Sequence, residues 1–69
     1  MQSQKWTLGY LRGGINAYVG GRVTLALVQS ATRLARESGV PDIEVVRLLR
    51  GAGLAFDGST RTVIVKAVA

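Results

Sequence analysis

From residue 22 to residue 38 the chain carries neither glycine nor proline; it then reads Gly39-Val40-Pro41, and the next glycine is Gly51. Two uninterrupted stretches separated by so short a pause leave little choice but two helices meeting at a tight corner. Glycine readily takes the left-handed conformation that stops a helix, and the fixed φ of proline suits the first turn of the next one. The expected helices therefore cover residues 22–38 and 41–50. In the first, Val23, Leu27, Ala31 and Leu34 fall at helical spacing with Ala35 beside them, while Arg33 and Arg36 point elsewhere. Leu25 and Val28 widen the apolar arc, so this helix is expected to be covered on more than one side. In the second, Asp42 and Glu44 sit near the positive N-terminal end, and Arg47 and Arg50 occupy the C-terminal half. Both placements agree with the direction of the helix dipole.

The flanks read differently. "KWTLGYL" alternates Trp6, Leu8 and Tyr10, "INAYV" alternates Ile15, Ala17 and Val19, and "RGG" lies between them. Alternation on both sides of a glycine turn predicts a β-hairpin, punctuated at its end by Gly20-Gly21. "LAF", the turn-like "DGST" and "RTVIVKAVA" predict a second hairpin, whose last strand is the most β-prone piece of the chain. The expected fold is α+β, a single domain over residues 1–69 in the order ββααββ. No repeat, low-complexity segment or linker divides it.

A chain of 69 residues buries about 60% of the surface that its unfolded form exposes. Without cysteine or histidine it has no disulfide, no thiolate and no imidazole to reinforce a marginal core or to bind a metal. A hydrophobic fraction of 48% argues against disorder, and a homodimer is the economical way to bury more of it. The net charge is +5, and arginines at 12, 22, 33, 36, 47, 50 and 61 supply most of the positive charge, which points to an anionic partner. Catalysis is not expected, because Ser3, Ser30, Ser38 and Ser59 have no histidine to activate them. Glu37, Asp42 and Glu44 fall around helix ends where solvated acids are ordinary, and neither GxGxxG nor a Gly-Lys-Ser/Thr loop occurs. No cofactor and no metal site are expected. Trp6, Tyr10 and Tyr18, interleaved with Lys5 and Arg12, could stack bases of a single strand, although at strand spacing Trp6 and Tyr10 are more simply hairpin core. No signal-type apolar stretch is seen, and no apolar run approaches the roughly 18 residues of a membrane span, so a cytoplasmic location is expected.

Ala35 and Gly39 are four apart, Leu34 and Val40 flank them, and Val45 and Leu48 follow in the second helix. In this pattern the segment over residues 31–50 resembles the helix-turn-helix of bacterial and phage repressors, the lac-repressor class above all. The resemblance implies a small dimeric transcription regulator of phage or plasmid type that binds double-stranded DNA. It would turn Pro41, Asp42, Ile43, Val46, Arg47 and Arg50 toward the DNA and let Arg33 and Arg36 clamp phosphates. The C-terminal hairpin would serve as a wing, winged-helix-like, with Arg61 near its tip reaching a phosphate or the minor groove. The residues themselves leave a second reading open. Ile43, Val46 and Leu49 make the second helix apolar nearly all round, as in a helix buried on both faces. A small adaptor or inhibitor could dock that surface, with its basic rim, on an acidic protein partner.

Overall fold

The computed structural model describes residues 3–57 and 62–65, and it opens on a helix, α1 (Gln4–Val19), where alternation predicted a hairpin. The physical reason lies in which residues the core takes. Thr7, Leu11, Gly14 and Ile15 are buried, at the i, i+4, i+7, i+8 spacing of one helical face. Trp6 and Tyr10, two of the alternating residues, are also one helical turn apart, and their rings stack with centroids 5.3 Å apart, Tyr10 at the edge of the core and Trp6 exposed. Ser3 caps the helix, its hydroxyl accepting from the Trp6 amide at 3.1 Å. The "RGG" segment thus lies inside a helix rather than at a turn. The turn comes later, at Gly21 (φ 75°), where the Arg22 amide donates back to the Ala17 carbonyl at 2.8 Å.

Helix α2 (Leu25–Glu37) begins three residues later than expected, so Arg22 and Val23 belong to the connection. Its buried face is Val28, Ala31, Thr32 and Ala35, with Leu25, Leu27 and Leu34 half-buried along the edges. The Thr32 hydroxyl is satisfied locally, donating to the Val28 carbonyl at 2.8 Å. The helix ends in a two-bond lock. The Gly39 amide donates to the Arg36 carbonyl and the Val40 amide to the Ala35 carbonyl, both at 3.0 Å, with Gly39 at φ 92°. Pro41 then precedes α3 (Asp42–Gly51) as its cap, its carbonyl accepting from the Glu44 amide at 3.0 Å.

Gly53 (φ 74°) turns the chain into β1 (Leu54–Asp57), which pairs antiparallel with β2 (Thr62–Val65) in the register Leu54↔Val65, Phe56↔Val63. Leu54 and Val63 are buried, whereas Ile64 on the opposite face is exposed, the alternation of a half-covered sheet. The order among the described residues is thus αααββ, not ββααββ: three helices followed by one small sheet. α1 lies against α2, α3 against β1 and α2 against β2, around a shared core that includes Leu11, Val28, Val45 and Leu49.

Candidate nucleic-acid interface

The second helix of the corner, α3, is the element on which the functional expectation rests, and its two faces are chemically distinct. Val45 and Leu49 are buried and Leu48 is half-buried, so one side holds the helix to the core. Ile43, Val46, Arg47 and Arg50 fall within about 100° of arc on the other side, since each residue advances the helix by about 100°. There Ile43 is 62% exposed, Arg47 and Arg50 are exposed and Val46 is half-buried. The helix is therefore covered on one face and open on the other. Leu49, counted by the sequence with the apolar surface of this helix, belongs entirely to the core at 0% exposure.

Electrostatics on this face are light. The Arg47 Nη1 lies 3.9 Å from the Glu44 Oε1 one turn earlier, and the Arg47 side chain is 72% exposed. An ion pair that long and that wet contributes little and leaves the guanidinium available. Arg50 stands in the last turn, where the helix dipole favours a cation.

Arg36 and Asp42, expected at a phosphate and on the DNA-facing side, are partners of each other. The Arg36 Nε donates to the Asp42 Oδ1 at 3.0 Å, bridging the end of α2 to the start of α3. The same guanidinium lies over the Phe56 ring, 4.5 Å from its centroid. One side chain thereby ties together both helices of the corner and the first strand. Arg33 is exposed one turn before, beside a groove of about 370 Å³ between α2 and the sheet, lined also by Gln29, Thr32 and Phe56. Gln29 spans to the sheet, donating to the Val63 carbonyl at 3.4 Å. Pro41 is exposed at the turn. Arg61 lies outside the described residues.

Phe56 and Gln29 were not legible as partners of this region, because their contacts join residues 20 and 34 positions apart. Of the residues of the single-strand stacking expectation, Trp6 is exposed and stacks on Tyr10, while Tyr10 and Tyr18 are both half-buried and pack against the core. Among the described residues no cluster of acids could hold a metal ion, and no helix is long and apolar enough to cross a membrane. Comparison with protein-family models, with curated proteins and with solved structures finds no match for this chain.

Proposed function

We propose that this chain binds double-stranded DNA as a small helix-turn-helix regulator, with α3 entering the major groove. The observation that carries the proposal is the open face of α3, where Ile43, Val46, Arg47 and Arg50 stand together while Val45 and Leu49 anchor the helix from behind. A helix held on one side and exposed on the other, directly after a glycine corner, is the geometry by which such motifs present residues to base edges. The net charge of +5 supplies the attraction to phosphate that any such complex needs.

Within this reading the roles divide. Arg47 and Arg50 reach base edges, Arg33 contacts a phosphate, and the Arg36–Asp42 pair on the surface of the corner holds the angle between α2 and α3. Two copies would place their α3 helices about 34 Å apart, one turn of DNA. The competing picture of an apolar docking helix loses Leu49 to the core and keeps only Ile43 and Val46 on the outward face.

The test is fluorescence anisotropy with a pool of random duplexes at low salt, followed by a salt titration. Binding whose log K falls linearly with log salt is expected. Absence of affinity for any duplex at low salt overturns the proposal.

A further inference from the structure

The outward face of α3 has an unusually narrow chemistry, and it limits which bases the helix can read. Adenine is read bidentately by Asn or Gln, guanine by Arg or Lys, the cytosine amino group by Asp or Glu, and thymine through its methyl by apolar side chains. Helix α3 is "DIEVVRLLRG" and contains no Asn, Gln or Lys. Of its two acids, Asp42 accepts from Arg36 at 3.0 Å, and Glu44 falls about 100° round the helix from Ile43, outside the outward arc. What remains outward is Arg47, Arg50 and the exposed Ile43, flanked by Val46.

We infer that α3 selects duplexes in which a thymine lies close to guanine, Ile43 packing on the thymine methyl and Arg47 and Arg50 pairing with guanine O6 and N7. The inference rests on the DNA-binding reading above and names the sequence class that reading leaves open. Spacing follows from the helix. Ile43 and Arg47 are about 6 Å apart along the axis and Ile43 and Arg50 about 10 Å, at about 1.5 Å per residue. With base pairs about 3.4 Å apart, the thymine and the guanines fall within about three base pairs of each other. Asp42 is the residue whose partner matters most. An acid at the first turn of a reading helix would otherwise favour cytosine and repel phosphate; the Asp42 side chain stays 65% exposed, but its carboxylate accepts from Arg36, which offsets its charge at the corner.

The test begins with selection of bound duplexes from a random library by the unmodified protein, which is expected to enrich a thymine at a fixed offset of about two to three base pairs from guanine. In the selected site, replacing that thymine by uracil removes one methyl group and is expected to weaken binding about fourfold, the worth of one buried carbon. Replacing a guanine by 7-deazaguanine removes one of the two acceptors and is expected to weaken binding about fivefold, half of a bidentate pair. The Ile43→Ala variant should bind the thymine and uracil duplexes equally; because Ile43 is exposed, the substitution leaves the core untouched. Enrichment of sites without thymine and guanine, or binding indifferent to both base analogues, overturns this inference while leaving DNA binding intact. Failure to bind any duplex overturns the DNA reading and this inference with it.

Discussion

Replacing Gly9 and Gly13 by alanine should make the protein more stable, and the size of the gain follows from where the two glycines lie. Both are in the interior of α1, both are exposed, and a Cβ built on either meets no atom within 4 Å. Nothing is displaced, so what changes is the freedom of the unfolded chain and the intrinsic preference for helix. Each glycine costs about 0.8–1 kcal/mol relative to alanine in a helix interior. The double variant is therefore expected to gain about 1.5–2 kcal/mol. At about 4–8 °C per kcal/mol for a domain of this size, the melting temperature should rise by about 10 °C. The assay is thermal unfolding followed by far-ultraviolet circular dichroism, with urea titration giving the free energy independently. The reasoning is refuted if Gly13→Ala lowers the melting temperature. That is the outcome expected if "RGG" formed a hairpin turn with a glycine at positive φ, where a Cβ is strained. Gly21→Ala is the internal control: at φ 75° it is expected to destabilise by about 1–2 kcal/mol.

Gly39→Ala should also destabilise by about 1–2 kcal/mol from its φ of 92° alone, since the atom its Cβ would crowd, Gln4 Nε2 at 2.9 Å, belongs to an exposed side chain that can swing away; urea unfolding measures it. A double-mutant cycle of Arg36→Met and Asp42→Asn should give a coupling of about 0.3–1 kcal/mol, kept small because the Asp42 side chain is 65% exposed; zero coupling would remove Arg36 as the tie between α2 and α3. In DNA-binding titrations, Arg33→Ala should reduce the salt slope by about 0.9, one phosphate contact, whereas Arg36→Ala should leave the slope unchanged. A slope that falls equally for both would return Arg36 to the phosphate-contacting role.

The corner was legible because its signals are local and mutually consistent. A glycine able to take positive φ, a proline, and acids followed by arginines all fall within residues 39–50, and each acts on its own turn of helix. The pairing of residues 54–57 with residues 62–65 was legible for a similar reason, since β-prone segments flank turn-forming residues at short range. The first helix was not. Three glycines at 9, 13 and 14 weigh against helix, and Trp6, Leu8 and Tyr10 satisfy a period of two as well as containing a pair four apart. The signal that decides between the periods is the row Thr7, Leu11, Gly14, Ile15, in which a threonine and a glycine stand at core positions where an apolar residue is looked for. The Thr7 hydroxyl is satisfied locally, donating to the Ser3 and Gln4 carbonyls, and Gly14 lies close to α2, where a Cβ built on it would be 3.9 Å from the Ala31 Cβ. On the candidate interface, arginine and aspartate could be placed near the corner from sequence, but not paired. The bond between Arg36 and Asp42 forms across the turn, and the ring beside it arrives from a strand.

Amide shift mapping of the isotope-labelled protein against a selected duplex tests, residue by residue, whether the outward face of α3 is the surface that meets DNA. The largest changes are expected at Ile43, Val46, Arg47 and Arg50, with Arg33 next and the opposite face of α3 at Val45 and Leu49 moving least. Changes centred on Trp6 and Tyr10 of α1, or no changes at any duplex concentration, would contradict it.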